Sequence, residues 1–461
     1  MAAATSDRLS LTRKAGFTLA DFACNLYWPS LTIFLLYYYT DVIGISAAAA
    51  GLIYMIASIV DAPMDPLVGV ISDRTRTRWG RYRPYILFGA APLGLAFVLL
   101  YYRPPLVGVG LLVWLLAAHI IFRAGYTLVT IPYTALTARL TPSSSERSAI
   151  TGFRQVWGTL AGMVVAVSVL PLVKAFGAGE AARGFFWVAV LFACIATAIF
   201  PIVFLSIREP RTADDTRPLS AIDCLRSLSR NRAFWIVIVG STVSVAGTTA
   251  LGKSVLYYFQ YDLHDAASAR WALLAMAAIG LPLAPAWVFA TRAIGKRACW
   301  FSATAIGLVG LAIFALVDVK SVGMMIVFFT YVQVCLSGLN FLFWSMLPDT
   351  VEYGEWRTGL RAESFLFGFA QFFLKVAVGI GVGAFGVAFG LVGYHANVTQ
   401  SPQTLHGLKM IMVAFPATGL VLGAAVMAFY PLGRGMHETI VRELEGRVLE
   451  PPEALSAGGI D

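Results

Sequence analysis

Charged residues are scarce in this chain of 461 residues. Asp, Glu, Lys and Arg together make up 13% of the sequence, and only 25 residues are acidic. Soluble domains carry about twice that charged fraction, whereas 58% of this chain is hydrophobic and most of its apolar runs reach the roughly 20 residues that cross a bilayer. The composition therefore excludes an ordinary soluble domain and indicates a protein with many membrane-spanning helices.

Cysteines, a signal peptide and catalytic motifs are also missing or few. The five Cys residues are scattered without the spacing of a disulfide framework or a metal cluster. The polar N-terminus runs into an apolar stretch that is too long for a signal core and is interrupted by Asp21. No nucleophile and base occur at a plausible spacing, so the sequence predicts neither an enzyme nor a cofactor.

The apolar runs predict twelve helices. They cover residues 16–42, 47–72, 84–102, 107–138, 148–174, 183–206, 233–261, 268–290, 299–318, 322–350, 362–394 and 404–432. Basic residues collect in alternate connections: 74–83 holds five Arg, whereas 41–47 and 395–408 hold no Lys or Arg. Because basic residues accumulate on the cytoplasmic side, both termini are expected there. The net charge of +9 is thereby explained by topology, and no nucleic-acid partner is expected.

Short motifs of the first half of the chain recur in the second half, each about 216 residues later. The matches are Pro63 and Pro66 with Pro282 and Pro285, WGR at 79–81 with IGK at 294–296, Pro132 with Pro348, and GFRQ at 152–155 with GFAQ at 368–371. Two parallel six-helix repeats are the organisation of major facilitator transporters, whose substrates bind between the halves near the midplane. We therefore predict an all-α membrane protein with an N-terminal bundle at 1–206, a linker at 207–232, a C-terminal bundle at 233–432 and a soluble tail at 433–461.

Two carboxylates, Asp61 and Asp65, lie inside an apolar run. Their spacing of four residues places them on one helix face, and a carboxylate at that depth is costly unless a proton, a cation or a base neutralises it. A site for a coupling cation is one interpretation, and salt bridges to buried bases are the other. Their counterparts in the second half, Gly280 and Ala284, carry no charge, so ion chemistry is assigned to the first half.

The first helix carries a second polar face. Asp21, Asn25 and Trp28 recur at i, i+4 and i+7, which suits multidentate hydrogen bonding to a sugar together with stacking on an indole. For Trp28, packing in the core or at the membrane interface is the alternative.

Buried bases outnumber buried acids in the predicted helices. Asp21, Asp61 and Asp65 face Arg123, Arg154, Lys253 and Lys375. A base without a partner favours an anionic substrate, because a carboxylate and an Arg or Lys form charge-assisted hydrogen bonds. Two alternatives stay open: Asp61 and Asp65 are the partners of Arg154 and Lys375, or Lys253 snorkels toward an interface, for which its side chain is long enough.

Several long motifs resemble one family, the glycoside-pentoside-hexuronide:cation symporters, which include the melibiose carriers. They are DFACNLYWPS, YYYTDVIG, DAPMDPLVGVISDRTRTRWGRYRPY, YTLVTIPYTAL and LPDTVEYGEWRTGLRAESF. The resemblance implies cation-coupled uptake of a sugar, with Asp61, Asp65 and Thr127 at the cation site. The candidate substrate residues are Asp21, Asn25, Trp28, Arg123, Tyr126, Thr130, Arg154, Lys253, Gln371 and Lys375.

Two positions depart from the family pattern. Thr130 stands where the melibiose carriers have a second sugar-binding aspartate, so melibiose is not the expected substrate. Met64 replaces an Asn beside the second cation-site aspartate, and a thioether is a poor ligand for a hard cation. The expected coupling ion is therefore H⁺, with Na⁺ at Asp61 and Asp65 as the alternative and no other metal.

The predicted cytoplasmic ends of the helices carry a second set of charges. Gating residues are expected at Asp73, Arg74, Arg78, Arg81, Asp349, Glu352, Glu355 and Arg361, although the Arg run would look the same if it only anchored the helices. We expect a monomeric sugar or glycoside symporter in the lipid bilayer of the bacterial inner membrane. A transporter of lysolipids with the same fold is the alternative.

Overall fold

The computed structural model describes residues 10–140, 144–207, 209, 221–317, 319–360, 363–433, 436, 439–440 and 442–444. Within these residues twelve helices are long and apolar enough to cross a membrane, as predicted. In chain order they are α1 (Leu11–Ile43), α2 (Ala47–Arg74), α3 (Arg83–Leu100), α4 (Gly108–Thr137), α5 (Ala149–Gly177), α6 (Ala181–Ser206), α7 (Arg232–Asp262), α8 (Ala266–Ile294), α9 (Lys296–Leu316), α10 (Val322–Thr358), α11 (Phe365–Leu391) and α12 (Pro402–Met427).

Helix α2 differs from the continuous helix expected over 47–72. It consists of two segments, Ala47–Asp61 and Met64–Arg74, joined by a turn at Ala62 and Pro63. Proline lacks an N–H and its ring displaces the preceding turn of a helix, which explains the interruption. As a result Asp61 ends the first segment, and Asp65 lies in the first turn of the second.

Helix α10 continues beyond its predicted end at 350. The sequence after 350 is rich in charge, but Val351 and Tyr353 are buried there, so the helix continues on one packed face to Thr358. Gly359 then ends it in the left-handed conformation, with φ of 71°, which glycine adopts without a steric penalty.

The linker between the halves contains a helix at Ala221–Arg230 that packs against α10. Most of the predicted tail at 433–461 lies outside the described residues.

The two halves pack closely along α2 and α11. A Cβ atom built on Gly386 would lie 2.4 Å from the carbonyl oxygen of Ala47, and one on Gly51 would lie 3.0 Å from Cα of Gly386. Only residues without side chains allow two helix backbones to approach this closely. In contrast, the second segment of α2, Met64–Arg74, makes few contacts with α11, so the two helices diverge there.

A polar cluster closes the face of the bundle opposite the basic connection 74–83, which we call the distal face. The carboxylate of Asp41 at the end of α1 accepts hydrogen bonds from the hydroxyls of Tyr261 and Tyr394. The side-chain amide of Asn397 donates to the Asp41 carbonyl at 2.7 Å. Because Asp41 belongs to the first half and its partners to the second, this distal cluster holds the halves together.

Candidate functional site

The three residues predicted for the cation site meet at the interface between α2, α4 and α11. The Lys375 ammonium lies 2.8 Å from Oδ2 of Asp61 and 2.7 Å from Oδ1 of Asp65. The hydroxyl oxygen of Thr127 is 3.1 Å from an oxygen of each carboxylate. An ammonium group from the second half therefore lies between the two aspartates of the first half.

A guanidinium completes this site from α4. Nη1 of Arg123 donates to Oδ2 of Asp61 at 3.2 Å, and its Nε donates to Nε2 of His119 at 2.9 Å. The guanidinium carbon also lies 5.2 Å from the ring centre of Tyr54 and 5.6 Å from that of Trp28. Since the His119 nitrogen accepts this hydrogen bond, the imidazole is neutral. Asp61 and Arg123 are only 3% and 2% exposed, so this is an ion pair shielded from water.

Asp21 on α1 is neutralised separately. Its carboxylate accepts hydrogen bonds from Nε and Nη2 of Arg154 at 2.9 Å and 3.2 Å. The Tyr133 hydroxyl donates to the same carboxylate at 2.5 Å. The bidentate contact fixes the plane of the guanidinium. The sequence identified Asp21 and Arg154 as site residues but not as partners, and it did not identify Tyr133.

The aromatic and amide groups expected to bind sugar lie beside this pair. The rings of Trp28 and Tyr126 are stacked with centres 5.0 Å apart. Asn25 and Thr130 donate to carbonyls of their own helices, those of Asp21 and Tyr126, each at 2.8 Å. The side-chain oxygen and second amide N–H of Asn25 and the hydroxyl oxygen of Thr130 remain able to bind a ligand.

Lys253 on α7 does not snorkel toward an interface. Its side chain is 4% exposed, and the ammonium donates to the main-chain carbonyl of Thr32 and lies 4.5 Å from the ring centre of Tyr54. Thr32 lies in a π-helical turn of α1 at Ser30–Phe34, where the wider turn disturbs the regular backbone hydrogen bonds. Lys253 thus links the second half to the first.

These contacts reduce the expected surplus of bases to one residue, Lys253. The pairs are Arg154 with Asp21, Arg123 with Asp61, and Lys375 with Asp61 and Asp65. Arg123 therefore already has a carboxylate partner and is not available to an anionic substrate. In the described parts of the chain, Lys253 is the predicted buried base for which no carboxylate lies within ion-pair distance. Gln371, one turn before Lys375 on α11, is exposed.

Two of the residues predicted to form a gate, Asp73 and Asp349, have hydrogen-bond partners within their own halves. Asp73 accepts from the Tyr82 hydroxyl at 2.6 Å, and Asp349 accepts from Lys296 at 2.7 Å. Glu209 accepts from the main-chain N–H of Arg81 at 2.9 Å. Arg74 and Arg78 are exposed, and Glu352 and Glu355 lie on the last turns of α10, whereas Arg361 lies outside the described residues. Their gating role stays a prediction.

Twelve membrane-length helices form two six-helix bundles, and acids and bases meet between them. This is the organisation of a membrane transporter of the major facilitator type. The chain belongs to the MFS/sugar transport protein family, whose model matches residues 16–434. It is 35% identical over 434 residues to the isoprimeverose transporter of Lactiplantibacillus pentosus, covering 92% of this chain and 89% of that protein.

A glucuronide carrier protein homolog of Escherichia coli (strain K12) is 30% identical over 455 residues, covering 96% of this chain and 97% of that protein. The fold is similar to that of a bacterial homolog of the human lysosomal transporter Spinster, with a TM-score of 0.67 and 13% identity over 94% of this chain and 97% of that one. The resemblance to glycoside-pentoside-hexuronide:cation symporters is confirmed, and the protein is an integral membrane transporter of sugars or glycosides.

Proposed function

We propose that this protein couples the uptake of a sugar or glycoside to H⁺ rather than to Na⁺. The observation that carries the proposal is the Lys375 ammonium, which lies within 2.8 Å of both Asp61 and Asp65 and joins α11 to α2. Protonation of one carboxylate would remove half of the charge that holds this ammonium. The contact between the halves would then weaken, and the bundle could rearrange to expose the site to the other side.

The ligands at this site suit a proton better than a sodium ion. Na⁺ is a hard cation that requires several oxygen ligands. The oxygens of Asp61 and Asp65 already accept hydrogen bonds from Arg123, Lys375 and Thr127. A proton needs only one lone pair of a carboxylate, whereas Na⁺ would have to displace several donors at once.

The sugar is expected to bind between the Trp28 and Tyr126 stack and the Asp21–Arg154 pair. We propose that it carries an anionic group, as a hexuronide does, and that Lys253 receives this group. Lys253 is buried without a carboxylate partner in the described residues, and the glucuronide carrier homolog gives independent support. The preference for an anion now depends on Lys253 alone, since Arg123 is paired.

The remaining parts of the proposal concern orientation and assembly. The five Arg of the connection 74–83 favour a cytoplasmic location for the face that carries it and for both termini. The bacterial relatives favour the inner membrane. Every proposed site residue comes from one chain, so we expect a monomer to be active. The two bundles are expected at 1–206 and 233–432.

Proteoliposomes given an inward pH gradient test the function directly. We expect labelled sugar to accumulate without added sodium, and uptake to be inhibited by uronides more strongly than by their uncharged parent sugars. Sodium-dependent uptake with no response to the pH gradient would contradict proton coupling. Uptake of labelled lysolipid instead of sugar would replace the sugar assignment.

A further inference from the structure

We infer that Arg123 determines ion selectivity: its guanidinium acts as a fixed counter-cation at Asp61 and keeps sodium from binding there. This inference rests on the proposed coupling through Asp61 and Asp65 and assigns a residue to its selectivity.

The position of the guanidinium supports this role. Its Nη1 donates to Oδ2 of Asp61 at 3.2 Å, and the Lys375 ammonium lies 2.8 Å from the same oxygen. A metal ion at either oxygen of Asp61 would face the two positive charges of Arg123 and Lys375 beside it. In a site shielded from water such repulsion is strong, because little solvent screens it.

The guanidinium is held in place from all sides. His119 accepts its Nε–H at 2.9 Å, and the rings of Tyr54 and Trp28 lie 5.2 Å and 5.6 Å away. His119 is itself fully buried, with its ring packed edge-on against Tyr54, the centres 5.0 Å apart. Arg123 therefore cannot leave the site as readily as Lys375, whose side chain is 17% exposed.

The charge balance of the site explains why sodium would bind if Arg123 were removed. Two carboxylates, Asp61 and Asp65, face two bases, Arg123 and Lys375, so the group of four is neutral when both acids are ionised. Removing the guanidinium would leave a net charge of −1 and take away one of the two basic groups next to Oδ2 of Asp61. Two carboxylates and the Thr127 hydroxyl would then offer the oxygen ligands that a small hard cation prefers.

Neutral and conservative substitutions of Arg123 test this inference. In Arg123→Gln and Arg123→Met we expect sodium to stimulate sugar uptake about tenfold relative to choline, equivalent to about 1.4 kcal/mol. Arg123→Lys keeps the charge and should remain insensitive to sodium. Lys174→Gln removes an exposed positive charge in the last turn of α5, away from the site, so its sodium response should stay at the wild-type level.

A binding measurement on purified protein provides a second readout. Sodium, compared with choline, should raise the melting temperature of Arg123→Gln or Arg123→Met but not that of the wild type. A sodium shift in the wild type, or none in folded neutral variants, would overturn the inference whether or not the variants transport. Failure of the wild type to accumulate sugar under any ion gradient, with sodium binding still confined to the neutral variants, would instead remove the coupling proposal.

Discussion

Lys253 donates to the main-chain carbonyl of Thr32, and this contact joins α7 of the second half to α1 of the first. A carbonyl carries only a partial negative charge, so the ammonium remains without a full counter-charge. If the halves part at this level, the contact breaks and the ammonium becomes available to a ligand. Lys253 thus combines an interaction between the halves with a candidate role in substrate recognition.

Replacing Lys253 by Gln tests that recognition. We expect the variant to lose most of the discrimination between a uronide and its uncharged parent sugar, by about 10- to 100-fold, because a charge-assisted hydrogen bond contributes about 1.5–3 kcal/mol. Competition against labelled substrate measures the ratio of inhibition constants. Lys253→Arg keeps the charge and is the control. Unchanged discrimination in Lys253→Gln would return this residue to a structural role.

Replacing Asp65 by Asn should abolish uphill accumulation but leave exchange of sugar across the membrane. The amide cannot carry a coupling proton, whereas the sugar face around Asp21 is untouched. Accumulation under a pH gradient and counterflow of preloaded sugar are the two measurements. Glu180→Gln, in the exposed connection between α5 and α6, is the matched control. Full accumulation by Asp65→Asn would exclude this carboxylate from coupling.

Replacing Asp41 by Asn should weaken closure at the distal face. Tyr261 and Tyr394 donate to Oδ1 of Asp41, and the Thr40 hydroxyl donates to Oδ2 at 2.6 Å. The amide has one acceptor oxygen where the carboxylate has two, so one of these two sets of hydroxyls loses its acceptor, at a cost of about 1–3 kcal/mol. Spin labels at Val107 and Val398, which are exposed in distal connections of the two halves, report the separation in a background without the native cysteines. We expect a larger population at long distances. The same distance distribution as in the parent protein would argue against this role.

The glycine contact between α2 and α11 supports a fourth prediction. Gly386→Ala would place a Cβ atom 2.4 Å from the Ala47 carbonyl, whereas the same substitution at Gly390, one turn later, brings Cβ only within 3.7 Å of a side-chain carbon of Ala48. We expect Gly386→Ala to lose about 1–3 kcal/mol of stability and most of its transport, and Gly390→Ala to retain both. Melting temperature and uptake measure the two effects, and equal behaviour of the variants would show that the helices are not in close contact here.

Hydrophobic run length was sufficient to predict the twelve helices, because burial in lipid imposes a minimum length on each one. Run length could not show which charged side chains of different helices would form pairs. A spacing of four residues puts Arg123 and Thr127 on one face of α4, but which helix lies opposite depends on the packing of the whole bundle. The ion pair between Arg123 and Asp61, 62 residues apart, was therefore missed, and Arg123 was counted among the bases available to an anion.

Asp41 illustrates a different limit. It lies at the end of a predicted helix, where an acidic residue is ordinarily expected to face water, and the sequence did not mark it as a site residue. The neighbouring tyrosines at 37–39 were a signal of local packing, but its partners Tyr261 and Tyr394 come from the other half. Only the closed arrangement of the two halves brings them to it.

The close crossing of α2 and α11 gives the bundle the mechanics of a lever. The close contact continues along α11 from Gly386 to Gly379, where a Cβ atom would lie 2.7 Å from Cβ of Ser58. Gly379 lies four residues from Lys375, which corresponds to an arm of about 6 Å at 1.5 Å per residue. Pivoting α11 by about 10° at this end of the contact would move the ammonium by roughly 1 Å, enough to lengthen its 2.7 Å contact with Asp65 beyond hydrogen-bonding range. A rotation that barely disturbs packing at the fulcrum would thus be sufficient to make or break the charged contact at the far end of the arm.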